Sequence, residues 1–412
     1  MIPDTPTGYH AIEMMTVHDR YAQILRSRYP ILSEQDSVPD VHALIFPEVI
    51  EIPAAAIRHI QALVRALFSL RELASYRQRI ATADREILGY EPGNKSVLMG
   101  YDFHLDANGH PWLIEVNTNA AFSLGSDVLS ECQSIDNPFV PSFLEALKAS
   151  FLEEYGLARP GAALETIALI DETYRSQNYY FEFLMFRQVF ERWGWRCMIG
   201  APEDFRCTER GLEHQSGVRI DLVYNRLVDF LLAKPAHRHL RRAYLEGRTC
   251  FSPNPNEYLL LADKQRLVEW STPGWLESTG LRGPDVEAIR HSLPRSLDLE
   301  AGADVEYVWR ERKRLFFKPK QSFGAKGAYR GANITRKRFA EIVQRPYIAQ
   351  EFVPPATLAV MDAAGARREY KYDLRFYVYK DAVQLMVGRV YQGQVTNLRT
   401  PGGGFAALRI AG

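Results

Sequence analysis

The sequence predicts an α/β protein of two or three domains, on three observations. The chain has 412 residues, of which 46% are hydrophobic and 12% aromatic, so it exceeds one typical domain and can bury large cores. Two runs of strand-forming residues, 97–105 and 112–117, flank Asn108-Gly109 and predict a β-hairpin. Residues 166–224 then follow a β-α-β pattern, which predicts an open α/β domain.

Composition excludes several classes of function. Lys plus Arg equals Asp plus Glu, 50 each, so no net field recruits a nucleic acid or a membrane, and neither is expected as a partner. The four cysteines lack CxxC spacing, which argues against a zinc site or a disulfide framework. No apolar run approaches about 20 residues and no secretion signal is recognisable, so we expect a cytoplasmic protein. The cysteines are Cys132, Cys197, Cys207 and Cys250.

The segment before the hairpin predicts packing rather than chemistry. Residues 1–50 are rich in proline and suggest no function. Pro53 suits the first turn of a helix that we expect to extend to about Ile80, because apolar residues recur there at helical spacing.

The hairpin predicts a metal site. If Asn108 and Gly109 form a two-residue type I′ turn, Asp102 lies directly opposite Glu115, with Cβ atoms about 5 Å apart. Two facing carboxylates repel, and a hard cation between them relieves that repulsion. Mg²⁺ is the expected ion.

Alternation along the second strand completes the site. Asn117 shares the face of Glu115, whereas Trp112, Ile114 and Val116 are expected to face the core. The alternative is a half-exposed hairpin with ordinary surface acids, and Pro111 is compatible with such an edge strand. The predicted Mg²⁺ ligands are Asp102, Glu115 and Asn117.

The β-α-β region predicts a substrate site. Strands over 166–171, 195–200 and 219–224 surround a helix over 179–193. Ligands of open α/β sheets bind at the carboxyl ends of strands, where Arg226 lies. Its guanidinium could hold a substrate carboxylate bidentately, although a structural salt bridge is an equal alternative.

Lysines and glycines beyond residue 259 predict phosphate binding. Lys264 follows an apolar stretch, expected to be a strand, and begins a helix, whereas Lys318 ends an apolar strand. A loop of small residues follows, whose backbone N–H groups could wrap phosphate oxygens. It is not a Walker A loop, and a glycine- and lysine-rich surface turn is the alternative. The loop candidates are Lys320, Gly324, Lys326 and Gly327.

The last strands predict a nucleotide site. The strand 347–353 could pair its backbone with an adenine edge, with Glu351 available to the exocyclic amine. Arg375 and Arg389 lie on two later strands, where they could face a triphosphate. The adenine-site candidates on the first strand are Gln350, Glu351 and Val353.

In this order, the motifs resemble one family, the eukaryotic-type glutathione synthetases, a circularly permuted branch of the ATP-grasp superfamily. The metal element of most ATP-grasp chains lies near the carboxyl end, whereas here it lies near the amino end, as permutation implies. The resemblance covers about 95–412. The segments similar to the family's IE-x-NT, VVYFR, LAGTKKVQQEL, KPQ, ILMEK and LLRT-DGGVAAG motifs are 114–118, 222–226, 261–277, 318–331, 348–352 and 398–407.

The resemblance also implies roles for single residues. The run 402–407 would be a lid loop over the active site. The family's glutamate four residues after the loop lysine is Ser322 here, and we expect Asp102 to supply the missing carboxylate. The implied residues are Glu115 and Asn117 on Mg²⁺, Lys264 and Lys318 on ATP phosphates, Glu351 at adenine, and Arg226, Arg399, Gly403 and Gly404 at the peptide substrate.

The expected function is an ATP-dependent carboxylate–amine ligase that forms an amide or peptide bond through an acyl phosphate. ATP and Mg²⁺ are the expected cofactors, and the substrates are small molecules resembling amino acids or dipeptides. Alternatives are a phosphotransferase and a non-catalytic nucleotide-binding regulator. The oligomeric state stays open, with a homodimer among the options. The expected catalytic residues are Lys264, Lys318, Arg375 and Arg389.

Permutation makes a prediction about the whole fold. The hairpin and the strands after about residue 335 should belong to one sheet, in which the strand 385–393 lies beside the hairpin. The α/β domain should be an insertion in the chain between these two parts. The expected domains are 1–158, with the metal hairpin, 159–258, for substrate binding, and 259–412, for the lid and nucleotide.

Overall fold

A computed structural model describes residues 15–82, 84–300, 304–321, 327–361, 366–398 and 400–411. Its α-helices are α1 (Val17–Arg28), α2 (Ile31–Glu34), α3 (Val41–Leu44), α4 (Ala54–Glu72), α5 (Ala74–Arg79), α6 (Arg85–Gly89), α7 (Ser123–Cys132), α8 (Phe143–Ala158), α9 (Tyr180–Arg192), α10 (Arg238–Leu245), α11 (Pro255–Glu257), α12 (Gln265–Ser271), α13 (Gly283–Arg290), α14 (Val305–Glu311) and α15 (Arg336–Ile342).

Its strands form five sheets within the described residues. They are β1 (Ile50–Pro53), β2 (Met99–Leu105), β3 (Pro111–Asn117), β4 (Thr166–Ile170), β5 (Arg196–Gly200), β6 (Phe205–Thr208), β7 (Gly211–His214), β8 (Arg219–Ile220), β9 (Leu222–Asn225), β10 (Cys250–Ser252), β11 (Ser296–Asp298), β12 (Leu315–Pro319), β13 (Tyr329–Arg330), β14 (Tyr347–Glu351), β15 (Ala356–Met361), β16 (Arg367–Tyr379), β17 (Ala382–Tyr391), β18 (Gly404–Ala406) and β19 (Leu408–Ala411).

The largest sheet joins the two ends of the chain. Its strand order is β18-β17-β16-β2-β3, and β15 also pairs with β16. The prediction that the hairpin shares a sheet with the carboxyl-terminal strands is therefore confirmed. One detail is wrong: β16 pairs with β2, and β17, which contains most of 385–393, lies one place further out because β16 separates it from the hairpin.

The β2–β3 hairpin places Asp102 opposite Glu115, as predicted, but by a different route. The loop is longer than two residues, because the Asp106 N–H donates to the His110 carbonyl at 3.0 Å. Only Gly109 of the predicted turn pair has positive φ, at 76°, whereas a type I′ turn needs two such residues. A bulge next to Asp102 then shifts the pairing by one residue and restores the predicted partner.

The bulge also changes which side chains of β3 face the core, so the predicted core face is only partly correct. Leu113 and Val116 are buried, whereas Ile114 is the unpaired residue and is only partly buried. Trp112 is also only partly buried, and its ring N–H donates to Asp106 at 3.1 Å. Of the three residues expected in the core, Val116 alone lies there.

A parallel sheet of order β10-β9-β4-β5 forms the predicted open α/β unit. All residues of β4 are buried, as expected for a parallel strand covered on both faces. The predicted strand 219–224 is split in two at Asp221, whose carboxylate accepts the N–H groups of Glu165 and Thr166. Arg226 follows the second piece, β9, as predicted. The domain bounds stay a prediction.

An antiparallel sheet of order β11-β14-β12-β13 covers a small core of its own. Lys318 lies on β12, as predicted. The apolar stretch before Lys264 is a π-helix, Tyr258–Ala262, so the expected strand is wrong there. Lys264 immediately precedes helix α12, close to the predicted helix start. In the part of the chain that the structure describes, no helix is long and apolar enough to cross a membrane.

The closing glycine-rich run is not a lid loop. Gly404 begins β18, which pairs with β17 and is buried. A Cβ on Gly404 would lie 2.8 Å from the Leu44 carbonyl oxygen, so only glycine permits this approach of two backbones. β19 then pairs in parallel with β1, and tertiary packing fixes the run.

Candidate active site

A cleft of about 890 Å³ lies where the largest sheet, the antiparallel sheet and the carboxyl ends of the parallel strands meet. Polar side chains from both ends of the chain line it, together with a wall of apolar groups. The polar lining includes Asp102, His104, Glu115, Asn117, Asn119, Asp171, Gln177, Arg226, Lys264, Lys318, Gln350, Glu351, Asp373, Arg375, Arg389 and Thr396.

Asp102 anchors two arginines at the base of the cleft. Its carboxylate accepts from Arg375 Nε at 2.8 Å and Nη2 at 2.7 Å, and Arg389 Nη2 lies 3.0 Å away. Burial alone would raise the pKa of Asp102, but the two guanidinium charges hold it below its usual value. Both oxygens of Asp102 therefore have strong partners within the protein.

Asp373 holds Arg389 from the other side, and sequence analysis gave it no role in the site. Its Oδ1 lies 2.5 Å from Arg389 Nε, and its Oδ2 accepts from the hydroxyl of Thr396 at 2.5 Å. Asp373 is buried, whereas Thr396 belongs to a segment, 394–398, that lines the cleft. The paired carboxylates thus fix the direction of Arg389.

Glu115 and Asn117 face the cleft beside Asp102. One nitrogen, Asn117 Nδ2, lies 3.1 Å from Asp102 Oδ2 and 3.4 Å from Glu115 Oε1, so the two carboxylate oxygens are at most 6.5 Å apart. Lys264 Nζ is 3.7 Å from Glu115. Burial opposes ionisation of Glu115, but the charges of Lys264 and Lys318 keep its pKa below the usual value.

These oxygens fit Mg²⁺. In the described ranges no cluster of three His, Cys, Asp or Glu side chains is placed to hold a metal ion. Mg²⁺ rarely needs such a cluster, because one or two carboxylates and the phosphates of a substrate suffice. Glu115 and Asn117 supply suitable oxygens, whereas Asp102 already accepts hydrogen bonds from both arginines. Its direct contact with Mg²⁺ stays a prediction.

Lys318 presents a buried ammonium to the cleft. Its Nζ donates to the carbonyl of Ile114 at 2.9 Å and to Gln350 Oε1 at 2.8 Å. The Ile114 carbonyl belongs to the bulged residue of β3, so the bulge directs an oxygen at the lysine. Burial lowers the pKa of Lys318 to about 8, although the charge of Glu115 opposes this.

Some backbone groups at the end of β14 already have partners, and the adenine edge there stays a prediction. The N–H of Glu351 donates to the Arg295 carbonyl at 2.8 Å, so this backbone donor has a partner within the protein. The Val353 carbonyl accepts from the ring of His104 at 2.7 Å, which requires the proton on Nδ1. Sequence analysis missed His104, although its position two residues after Asp102 places it on the same strand face.

Arg226 lines the opposite wall of the cleft and is buried. Its Nη1 donates to the Ala120 carbonyl at 3.0 Å and to the Tyr224 hydroxyl at 3.1 Å. The neighbouring carboxylate of Glu182 accepts the N–H groups of Phe122 and Leu124 at the start of α7. Among the described residues, Arg226 donates to these two neutral partners and forms no salt bridge, contrary to the structural alternative.

Four other candidates do not reach the cleft wall. Lys320 binds Asp298 at 3.0 Å and also Glu300, so its ammonium is directed away. Gly327 offers its carbonyl to the Tyr347 hydroxyl. Gly403 and Gly404 are buried around the start of β18, so the proposed substrate contact of these two glycines finds no support. Gly324, Lys326 and Arg399 lie outside the described residues.

Comparison with known proteins identifies the fold. The sequence matches no family model and no curated protein. A glutathione synthetase like-effector from Globodera pallida, in the apo form, is similar in structure with a TM-score of 0.59 and 13% identity, over 95% of this chain and 97% of that one. A putative gamma-glutamylcysteine synthetase from Methylobacillus flagellatus KT has a TM-score of 0.46 and 12% identity over 85% and 87% of the two chains.

A third solved structure, the ATP-grasp ligase PsnB with a minimal precursor, has a TM-score of 0.33 and 13% identity, over 60% of this chain and 90% of that one. The sheet that joins the two ends of the chain has the arrangement expected of a permuted ATP-grasp fold. The chain shares the fold of the glutathione synthetase like-effector, as the sequence resemblance predicted.

Proposed function

We propose that the protein is an ATP-dependent carboxylate–amine ligase that forms an amide or peptide bond through an acyl phosphate. One observation carries the proposal: the cations of Lys264, Lys318, Arg375 and Arg389 surround a single cleft that also contains Glu115. These groups come from distant parts of the chain. A nucleoside triphosphate has enough negative charge to bind all four cations together.

The chemistry requires charge neutralisation and positioning more than acid or base catalysis. A carboxylate oxygen of the first substrate attacks the γ-phosphorus, and the bond to the β-phosphate oxygen breaks to release ADP. The unprotonated amine then attacks the acyl carbon, and phosphate leaves with its electron pair. Lys318 and Lys264 would neutralise the phosphates, while Arg389 would stabilise charge on the transferred group.

The paired carboxylates give the arginines a fixed direction before a ligand arrives. Arg389 lies between Asp102 and Asp373, and Arg375 is bound by two hydrogen bonds to Asp102. Such preorganisation lowers the reorganisation cost during phosphoryl transfer. When bound by Glu115 and Asn117, Mg²⁺ would supply further positive charge at the phosphate oxygens.

Arg226 supports an acidic substrate on the opposite wall. Its guanidinium donates to a carbonyl and a hydroxyl, and among the described residues no carboxylate forms an ion pair with it, so it can bind a carboxylate of a ligand. We propose that it binds a carboxylate of an amino acid or dipeptide, remote from the carboxylate that reacts.

The direct test is ADP release with Mg²⁺ and ATP, screened over pairs of amino acids, dipeptides and amines. We expect release that requires both an acid and an amine, and a product whose mass equals their sum less water. Lys318→Met should abolish it, whereas Lys320→Met should not. A phosphorylated product would replace the proposal with a phosphotransferase, and ATP binding without ADP release for any pair would favour a regulator.

A further inference from the structure

The segment 304–345 is strongly basic within a chain of zero net charge. It contains twelve Lys and Arg residues and four Asp and Glu residues, whereas the whole chain has 50 of each kind. Among the described residues of this segment, Lys318 is the one cation that lines the cleft. Phosphate binding in the cleft therefore leaves most of this charge without a role.

Eight of these cations lie on α14, on α15 or just after them, on the side of the antiparallel sheet that faces away from the cleft. Along β12, Phe316 and Lys318 line the cleft. Phe317 points the other way, because side chains alternate along a strand, and it packs in a core with Val308 of α14 and Phe339 of α15. Both helices thus cover the outer face of the sheet.

Trp309 joins the two helices. Its ring lies 5.1 Å from that of Phe339 on α15, measured between centroids. The guanidinium groups of Arg312 and Arg336 lie over the same ring, 3.9 and 4.7 Å from its centroid, and Arg336 also forms an ion pair with Glu306 of α14. The outward faces of α14 and α15 therefore form one surface.

Three exposed cations on this surface, Arg310, Lys313 and Lys337, form no salt bridge with a described acid. Because they are not neutralised locally, they give the surface a net positive potential that attracts an anionic partner. The salt bridges of these two helices and the residues after them are Arg314–Glu311, Arg336–Glu306 and Arg338–Glu341.

The other side chains on this surface favour a polypeptide over a nucleic acid. A nucleic acid has a negative charge at every nucleotide, so Glu306, Glu311 and Glu341 would repel it along its length. A polypeptide can place acidic residues opposite the cations and neutral residues opposite these acids. Val305 and Tyr307, which are 37% and 36% exposed, also offer apolar contact to its side chains.

We propose that α14, α15 and residues 312–314 form a docking surface, the outer basic surface, for an acidic polypeptide segment that also contains apolar side chains. Arg310, Lys313 and Lys337 supply the charge that binds its carboxylates. The outer basic surface and the cleft lie on opposite faces of one sheet, so this docking goes beyond the proposed function and does not depend on it.

The test measures binding of a fluorescein-labelled peptide with the repeat Glu-Glu-Leu to the full-length protein by fluorescence anisotropy. We expect binding at low salt that weakens as salt is added, because added ions screen exposed charges. A peptide of the same length with the repeat Lys-Lys-Leu should not bind. Neither ATP nor turnover is needed, so failure of this test leaves the proposed function intact.

Charge reversal locates the binding site. The triple variant Arg310→Glu, Lys313→Glu, Lys337→Glu should bind the acidic peptide at least about tenfold more weakly. The matched control reverses three exposed cations of α4 and α5 and should retain the wild-type affinity. Its substitutions are Arg58→Glu, Arg65→Glu and Arg79→Glu.

A cleft variant excludes the other cationic site. Lys318→Met should also retain the wild-type affinity for the acidic peptide, since Lys318 lies on the opposite face of the sheet. No binding of the acidic peptide by the wild type, or equal affinities of the wild type and the first triple variant, would overturn the proposal. Tighter binding of an oligouridylate than of the acidic peptide would overturn it in favour of a nucleic acid. The comparison of ligands on the wild type needs no variant to fold.

Discussion

Arg375 donates two hydrogen bonds to Asp102 across the central sheet, although the two residues are 273 positions apart in the chain. The pair lies where β16 adjoins β2, so it joins the amino-terminal hairpin to the carboxyl-terminal strands. Arg389 adds a second cation to the same carboxylate. The ion cluster therefore couples the stability of the permuted sheet to the shape of the cleft.

Asp102→Asn should lower the free energy of unfolding by about 3 to 5 kcal/mol, because it leaves two largely buried guanidinium groups without their shared carboxylate. Urea unfolding measures this. Glu165→Asn, at an exposed acid outside the cleft, is the control and should change little. Wild-type stability of Asp102→Asn would show that the cluster does not hold the sheet together.

Lys318→Met should weaken ATP binding by about 10- to 100-fold, the loss expected for a charged hydrogen bond to phosphate. Methionine fills a similar volume, so the packing of β12 should survive. Lys320→Met is the matched control, because Lys320 lies two residues away but binds Asp298 and Glu300. Calorimetric titration of both variants with ATP tests this prediction. Equal affinities of the two variants for ATP would show that Lys318 does not bind the phosphates.

Glu115→Gln should raise the Mg²⁺ concentration needed for half-maximal ADP release by at least about tenfold, because a neutral amide replaces a ligand carboxylate. Titration of Mg²⁺ at saturating ATP measures this. Glu165→Gln changes the charge equally at a distance from the cleft and should leave the requirement unchanged. An unaltered Mg²⁺ requirement in Glu115→Gln would exclude Glu115 as a ligand.

The pH dependence of stability should include a contribution from Glu154. Burial raises the pKa of this carboxyl to about 7, although hydrogen bonds from Asn94 and Lys95 oppose the shift. Because the folded-state pKa exceeds the unfolded value, the protonated carboxyl contributes stability below about pH 4.5 that is lost as the pH rises through about 7.

The loss should approach about 3 kcal/mol between those limits. Urea unfolding of wild type and Glu154→Gln at about pH 5 and about pH 8 isolates it, since glutamine does not titrate. We expect the wild type to lose more stability than the variant on raising the pH. The same loss in both proteins would assign the pH dependence to other groups.

The sequence predicts the hairpin well because strand propensity and alternation are local properties. The prediction that Asp102 lies opposite Glu115 is correct, but the two-residue turn assumed for it is wrong. The longer loop shifts the pairing by one residue, and the bulge at Ile114 shifts it back. That bulge is stabilised by Lys318, more than 200 residues away in the chain, which binds the released carbonyl. Local patterns contain no information about such a partner.

Long-range contacts also explain the wrong assignments. The glycine run near Gly404 is a strand because the backbone of 44–46 lies against it. Lys320 turns away from the cleft because Asp298 and Glu300 lie within reach on a neighbouring segment. The role of Asp373 depends on Arg389 and Thr396, which alternation along one strand cannot reveal.

Transfer of oxygen from the acid to phosphate tests acyl phosphate formation most directly. An acid that supports ADP release is labelled with ¹⁸O in its reacting carboxylate, and the released phosphate is analysed by mass spectrometry. In the proposed reaction the oxygen that attacks the γ-phosphorus leaves with the phosphate, so each phosphate should contain one labelled oxygen. Unlabelled phosphate, with both labelled oxygens retained by the recovered acid, would contradict the proposed ligase mechanism.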